Sequence, residues 1–345
     1  MRDERGSATW AAIVTEPVIA QRVRPSPWNP FHNYCQYLGR TWAAAKSSPD
    51  ACKAIAKLVI GACQTEAQGT KLLTEARCNN IPDAAMQQAC VLAAQSAAKE
   101  EHKGCKDKQG LWKTVCARLG PARYSPVIDA ANFPTSTTID NPFFPLTPGT
   151  TFVYEGQTAD GFEHVEFAVT HATRVILGIT CVEVHDVRKV AGKVLEDTRD
   201  WFAQDKFGNV WYFGENTTLI DESGLPLVGG GLPTDLSGTW TAGVDGAQPG
   251  FLMEANPAVG DFYRQEFLAG EAEDMAEVKS LTASESVPAT TCTNECLETE
   301  ESSTLAPGDI EHKFYKKNVG NVLTIDFAAN PPERSELVQI LTGQP

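Results

Sequence analysis

The sequence predicts an α+β protein, in which a small disulfide-stapled helical domain precedes a curved antiparallel β-meander that forms an open barrel or a lipocalin-like half-barrel. The first observation is a series of six cysteines spaced 11, 15, 12, 15 and 11 residues apart between positions 52 and 116. The second is a change to period-two alternation with turn residues from about residue 150. We therefore expect an extended arm over 1–34, a disulfide-stapled four-helix module over 35–124 and an acidic antiparallel β-domain over 125–345.

The cysteine spacing predicts which residues are bonded. Cysteines 11 positions apart on an α-helix share one face, so two antiparallel helices can be joined by two such pairs. The mirrored order favours nested bonds among fifteen possible connectivities, namely Cys52–Cys116, Cys63–Cys105 and Cys78–Cys90. Among the remaining cysteines, the sequence suggests a local Cys292–Cys296 loop and a clamp between Cys35 and Cys181.

The cysteine count also bears on where the protein works. Ten cysteines without the C-x2-C pairs of zinc sites favour disulfides in an oxidising compartment, so we expect a secreted or cell-envelope protein. The N-terminal residues do not fit the pattern of a secretory signal peptide, because Thr15, Glu16 and Pro17 interrupt the apolar run. We expect no membrane span, because no stretch approaches the roughly 20 apolar residues that one requires.

Charge divides the chain in two. Residues 35–124 carry 13 Lys and Arg against 7 Asp and Glu, whereas residues 125–345 carry 12 against 34. A nucleic-acid or anionic-membrane partner needs a basic surface, so the acidic part excludes both classes. The opposite charges predict an intrachain contact between the basic helical module and the acidic β-domain.

The helical module is expected to contain four segments. Ser48, Pro49 and Asp50 form a helix start, with Ser48 as the N-cap. The first segment then carries Cys52 to Cys63, the second covers about 67–78, the third follows Pro82, and the fourth ends at Gly120. In the β-domain, the clearest hairpin is DWFAQDKFGNVWYFGEN at 200–216, and a long Gly/Pro-rich segment covers 222–260.

Catalytic motifs such as G-x-S-x-G, H-E-x-x-H and phosphate-binding glycine loops are absent from the sequence. A first candidate site is a metal site on two neighbouring strands, where alternation places both His/Glu pairs on the face opposite the valines. The alternative is an ordinary solvent-facing surface, in which Lys189 pairs with Glu166. The candidate ligands are His164, Glu166, Glu183 and His185.

A second candidate site would perform acid–base chemistry. Its members lie in an acidic stretch and on a later strand, and they are Tyr263, Arg264, Glu266, Glu273 and His312. Arg264 is one of 12 basic residues in an acidic domain, so we expect it to have a specific carboxylate or anionic partner. The alternatives are a solvated acidic edge that prevents sheet association and a structural hydrogen bond for His312.

Aromatic residues supply a third candidate site. If they line the barrel mouth, they would stack on sugar rings or enclose an apolar ligand; otherwise they belong to the core. The candidates are Trp201, Trp211, Tyr212 and Trp240.

The β-domain resembles a known family of exported bacterial β-domain proteins over roughly residues 141–328. The resemblance rests on NPFFPLTPGTTFVYEG, DWFAQDKFGNVWYFGE, DGAQPG, YRQEFLAGEAEDMAEV and EHKFYKKNVGNVLTID. That family has no established activity, so the resemblance implies export and a β-domain but neither catalytic residues nor a cofactor.

Together these observations favour a secreted or cell-envelope binding protein that holds a small molecule or carbohydrate in its β-domain. One alternative is an extracellular lyase or hydrolase that uses carboxylate, histidine and tyrosine groups. Another is a structural or assembly protein of the cell surface. The sequence assigns no cofactor.

Overall fold

The computed structural model describes residues 50–220 and 238–343, which form two long helices followed by fourteen strands. The predicted arm over 1–34 and Cys35 lie outside the described residues. The helices are α1 (Ala51–Cys78) and α2 (Ala84–Leu119). The strands are β1 (Thr150–Thr158), β2 (Gly161–Ile176), β3 (Ile179–Val190), β4 (Lys193–Gln204), β5 (Val210–Leu219), β6 (Trp240–Thr241), β7 (Gln248–Met253), β8 (Phe262–Arg264), β9 (Glu266–Phe267), β10 (Asp274–Val287), β11 (Thr290–Ser303), β12 (Ile310–Lys316), β13 (Gly320–Asp326) and β14 (Glu333–Leu341).

The helices form an antiparallel hairpin joined by three disulfides. The bonded pairs are the nested ones that the spacing predicts: Cys52–Cys116, Cys63–Cys105 and Cys78–Cys90, with Cα–Cα distances of 5.6, 5.9 and 5.5 Å. Helices of 28 and 36 residues are about 42 and 54 Å long. The bonds therefore connect the two helices at three levels along the hairpin.

The predicted division into four helical segments is wrong, because each pair of segments is one continuous helix. Neither α1 nor α2 contains a proline, and glycines within them lower helix stability without ending the helix. The predicted N-cap is also displaced: the Asp50 side chain, not Ser48, accepts the hydrogen bond from the Lys53 backbone N–H at 3.0 Å. Gly120, with φ +85°, ends α2 as predicted.

The strands form one antiparallel sheet that curves into a nearly closed barrel. Pairing follows chain order from β1 to β5 and from β10 to β14, and β14 pairs with β1. The segment from Phe262 to Phe267 completes the ring, because β8 pairs with β10 while β9 pairs with β7. Gly250 in β7 permits this closure, since a Cβ atom there would collide with the Arg264 carbonyl oxygen. The predicted α+β architecture with a curved antiparallel sheet is confirmed.

The inward faces of the strands are apolar at one level of the barrel and polar at another. Val169, Val184, Leu297 and Leu337 point inward and are no more than 2% exposed. On β3, the position that follows Val184 on the same face is Asp186. This change in polarity along the strands creates a polar space inside a barrel that has an apolar core.

The helical hairpin packs against the outer wall of the barrel near its closing segment. Trp112 of α2 meets Phe267 edge-to-face, with ring centroids 6.4 Å apart. The Arg264 guanidinium, on a residue only 3% exposed, lies 4.2 Å from the Phe267 ring centroid. Arg118 of α2 forms an ion pair with Glu277 of β10 at 2.5 Å. The contact between the basic helical module and the acidic β-domain is therefore made at this surface.

The sequence also predicts two disulfides that involve cysteines of the β-domain. Cys292 and Cys296 form the predicted local disulfide within β11, with a Cα–Cα distance of 5.7 Å. Cys181 is buried and forms no disulfide with a described residue. A bond between Cys181 and Cys35 stays a prediction, because Cys35 lies outside the described residues.

Candidate functional site

The barrel encloses a cavity of about 580 Å³, which is within the size range of small-molecule sites. Its walls come from strands around most of the barrel and from the segment 144–146. Ten acidic side chains but only two basic ones line it among the described residues. The acidic ones are Glu163, Asp186, Glu196, Asp200, Glu215, Glu266, Glu271, Asp274, Glu301 and Glu311, and the basic ones are Arg188 and Lys313.

Both basic residues of the cavity wall are already paired with carboxylates. The Arg188 Nε donates to Glu163 at 2.6 Å, and the Lys313 Nζ donates to Glu301 at 2.7 Å. Burial lowers the pKa of Lys313, but the charges of Glu301 and Glu311 outweigh that effect and raise this pKa well above its ordinary value. Lys313 also lies 3.5 Å from Glu311, so the two basic residues of the wall pair with three of its ten acidic ones.

Tyr212 joins two of these acidic groups. Its hydroxyl oxygen lies 2.5 Å from Asp200 Oδ1 and 2.6 Å from Glu215 Oε2. A phenol has one hydrogen to donate, so it can donate to only one carboxylate. The other carboxyl group must carry a proton of its own and donate it to the phenolic oxygen. The geometry therefore holds two protons among three side chains, which we call the Tyr212 centre (Asp200, Tyr212 and Glu215).

The pKa values of several carboxyl groups in the cavity are raised, which agrees with a protonated carboxyl group in the Tyr212 centre. Burial, reinforced by neighbouring carboxylates, raises the pKa of Asp200 to about 8 and that of Glu215 to about 8. Burial and the charge of Glu196 raise the pKa of Asp186 to about 7. Burial together with Asp274 and Glu215 raises the pKa of Glu266 well above its ordinary value. Near neutral pH, the cavity thus holds protons that exposed carboxylates would have released.

An apolar wall leads to the Tyr212 centre. The Phe202 ring stacks on the Tyr212 ring, with centroids 4.8 Å apart and an angle of 18° between the planes. Phe144 meets Phe202 at 5.6 Å and Phe167 at 6.2 Å, and Phe152 meets Phe167 at 6.3 Å. All five rings line the cavity. The cavity therefore offers an aromatic surface next to hydrogen-bonding groups.

One polar side chain of the wall has no partner. Gln265, between β8 and β9, lines the cavity and is only 4% exposed. Its backbone N–H bonds to the Asp274 carbonyl oxygen at 2.9 Å, but its side-chain amide bonds to no described residue. Its amide therefore faces the space of the cavity, where a molecule could form a hydrogen bond with it.

Of the four aromatic residues predicted to bind a ligand, one lines this cavity. Tyr212 lines it, and Trp240 packs edge-to-face on Tyr212 with ring centroids 5.3 Å apart. Trp201 lies elsewhere, beneath the Arg174 guanidinium at 4.2 Å. Trp211 contacts Phe251 and donates from Nε1 to Asp205 at 2.9 Å. Trp201 and Trp211 do not line the cavity.

The five residues predicted for acid–base chemistry do not converge. Glu266 lines the cavity, and Tyr263 lies in the barrel core, where its ring meets Phe251 at 6.3 Å. Arg264 packs against the Trp112 and Phe267 rings. Burial raises the pKa of Glu273, while hydrogen bonds from Thr304 and the Gly270 N–H and the nearby Arg264 charge oppose that rise, so Glu273 is the carboxylate partner of Arg264. His312 lies on the outer face, where Nδ1 is 2.7 Å from Glu298. The predicted pocket shared by Arg264, Glu273 and His312 is therefore absent from the described structure.

The predicted metal ligands share the outer face of the sheet but are not brought together. His164 lies opposite Lys189, whereas His185 lies opposite Ala168, four residue positions further along the strand pair. His164 contacts Glu155 and Glu166, Lys189 also bonds Glu166, and His185 pairs with Asp197 at 2.9 Å. The Glu183 carboxylate accepts a hydrogen bond from the Thr170 hydroxyl at 3.4 Å. No group of three or more His, Cys, Asp or Glu in the described ranges is arranged to hold a metal ion.

Comparisons with known proteins add little to this geometry. No family model and no curated protein matches the chain. Among solved structures, the chain is similar to a "putative lipoprotein" from Parabacteroides distasonis, with 18% identity and a TM-score of 0.34 over 58% of this chain and 99% of that one. A similarity at this level carries no argument about function. Neither long helix of the described chain combines the length and the hydropathy of a membrane-crossing segment.

Proposed function

We propose that this chain is a secreted or cell-envelope binding protein that holds a small, positively charged organic molecule inside its barrel. The observation that carries the proposal is the composition of the 580 Å³ cavity, which is lined by ten carboxyl side chains and two already-paired basic ones. Asp200 and Glu266 are only 6% and 7% exposed, and burying such acidic groups without positive partners is unfavourable. A cationic ligand would supply them.

The nature of the cation follows from the rest of the wall. Seven aromatic rings line the same cavity, so the ligand should carry an apolar body as well as a charge. An organic cation is favoured over a metal ion, because the acidic groups of the described residues are not arranged as metal ligands. The four disulfides of the described residues support the proposed location, since such bonds persist in oxidising compartments.

The test is a binding comparison among three molecules of matched shape. Isothermal titration calorimetry would measure 2-phenylethylamine, 2-phenylethanol and 3-phenylpropionate against the full chain at pH 7.5 and low salt. We expect the amine to bind, the alcohol to bind at least tenfold more weakly, and the carboxylate not to bind. Equal binding of the amine and the carboxylate would contradict the proposal. Thermal unfolding gives a second readout, because a ligand at 100 times its Kd stabilises the fold by about 2.7 kcal/mol.

A further inference from the structure

We propose that the Tyr212 centre is the subsite for a protonated primary amine, and that the bound ammonium group replaces a proton held between the Asp200 and Glu215 carboxyl groups. This inference rests on the proposed function and names the ligand group and the position that it takes. The ligand would be an amine on an apolar body, with its body against Phe202 and its nitrogen beside the Tyr212 hydroxyl.

The first argument counts hydrogens. With Tyr212 within 2.6 Å of both carboxyl groups, one carboxyl group must carry a proton in the empty cavity. A primary ammonium group has three N–H donors and no acceptor. The ionised centre offers three matching acceptors, which are two carboxylates and the phenolic oxygen. The ammonium group can thus take the place of the shared proton and satisfy the same oxygens.

The second argument concerns the charges around the centre. The titratable groups that face it from the neighbouring strands are Asp186 of β3, Glu196 of β4 and Glu266 of β9, and all three are acidic. The two basic residues of the wall are engaged with Glu163 and Glu301 instead. The centre is therefore surrounded by groups that favour an added positive charge and oppose an added negative one.

The third argument is the shape of the space beside the centre. The Phe202 ring lies nearly parallel to Tyr212 and continues the aromatic wall through Phe144, which gives an apolar body a surface next to the amine. The unpartnered amide of Gln265 is a second, independent indication of a ligand, because it is 96% buried and lines the same cavity. A polar group on the ligand would satisfy it.

The exchange conserves charge and protons. An ammonium ion enters with one positive charge, the protonated carboxyl group releases one proton to the buffer, and no covalent bond forms. Binding that releases one proton becomes tighter by about tenfold for each pH unit while the empty centre stays protonated. We therefore expect the apparent Kd of 2-phenylethylamine to fall by about tenfold between pH 6 and pH 7.

The proton release can be measured directly. Calorimetry of 2-phenylethylamine binding at pH 7 in phosphate and in Tris, which differ in ionisation enthalpy, gives the number of protons released per amine. We expect a value close to one for the unmodified chain. The trimethylammonium derivative of the same amine has no N–H donor, so we expect it to bind at least tenfold more weakly.

Two amide variants separate the centre from the general acidity of the domain. Glu215→Gln keeps the hydrogen bonds but removes the exchangeable proton, so we expect release to fall toward zero and affinity at pH 8 to drop at least tenfold. Asp197→Asn is the matched control, because Asp197 lies on β4 like Asp200 but pairs with His185 on the outer face. We expect this control to bind and release protons as the unmodified chain does.

The outcomes distinguish the two proposals. If the amine binds without releasing a proton, or if its trimethylammonium derivative binds equally well, the inference is overturned while the proposed function stands. If neither cation binds, both are overturned. Should Glu215→Gln fail to fold, the proton count of the unmodified chain and its comparison with the trimethylammonium probe still decide the matter.

Discussion

The nested disulfides make a quantitative prediction about the outermost bond of the helical hairpin. Cys52 and Cys116 are 64 positions apart, and by itself such a bond would stabilise the fold by about 4.3 kcal/mol through loop-closure entropy. With Cys63–Cys105 intact, however, the outer bond closes only the two short stretches from 52 to 63 and from 105 to 116. That loop contains about 24 residues, so the contribution falls to about 3.4 kcal/mol.

The experiment replaces Cys52 and Cys116 by serine in two backgrounds, one with the Cys63–Cys105 bond and one with serine at both of those positions. Urea unfolding followed by far-ultraviolet circular dichroism would give the free energy of unfolding of each form. In the second background the Cys78–Cys90 bond remains, so the outer bond closes about 54 residues, and we expect it to contribute about 0.7 kcal/mol more there than when the inner bond is present. A contribution that does not depend on the inner bond, or one below about 1 kcal/mol, would refute this entropic explanation.

Three further predictions concern the barrel and the helices. The free energy of unfolding should decrease between about pH 4 and pH 8, because the raised pKa values of Asp200 and Glu215 keep a proton on this pair in the folded state that the unfolded chain releases near pH 4. Each such proton contributes about 1.4 kcal/mol per pH unit, so urea unfolding at pH 6 and pH 8 would check it, and greater stability at pH 8 would oppose it. Gly250→Ala should cost about 1–3 kcal/mol or more by disturbing barrel closure, and unchanged thermal unfolding would argue against that closure. Gly69→Ala in α1 has open space around it and should stabilise the helix by about 0.5–1 kcal/mol, which the helical signal in urea would show; a loss of stability would count against it.

The disulfide framework was predictable because covalent pairing obeys simple geometry. Cysteines 11 positions apart share a helix face, and a mirrored series places each pair at the same level of a hairpin. The number of helices was not predictable in the same way. The cysteine spacing alone does not show where a helix ends, and the residues within α1 and α2 are mostly good helix formers with no proline, so each helix continues past its glycines.

Barrel closure could not be predicted from alternation. Residues 262–267 fit the pattern of one strand, yet β8 and β9 pair with strands at opposite ends of the sheet. Two short strands, β6 and β7, also lie in the Gly/Pro-rich segment over 222–260, in which the sequence predicts no strand. Strand pairing over such sequence distances depends on how the whole sheet twists, which local patterns do not specify.

The sequence predicts a ligand space in the β-domain, but not its acidic lining, because alternate polar positions on strands are ordinarily solvent-facing. Alternation from Val184 puts Asp186 on the inward face, and Asp200 precedes the inward Phe202 by two positions. Acidic residues in phase with inward apolar ones were the available signal. The same alternation shows why Trp211 could not join its neighbour Tyr212 at one site, because adjacent strand residues point to opposite faces.

The most direct test of the central claim is a crystal structure of the full chain with 2-(4-bromophenyl)ethylamine, the analogue of 2-phenylethylamine that carries bromine on its ring. The anomalous signal of bromine would locate the ligand without reference to the protein density. We predict bromine inside the barrel on the aromatic side formed by Phe144 and Phe202, with the amine nitrogen about 3 Å from Tyr212 and its two carboxyl partners. A barrel without bromine, while the amine binds in solution, would contradict the account.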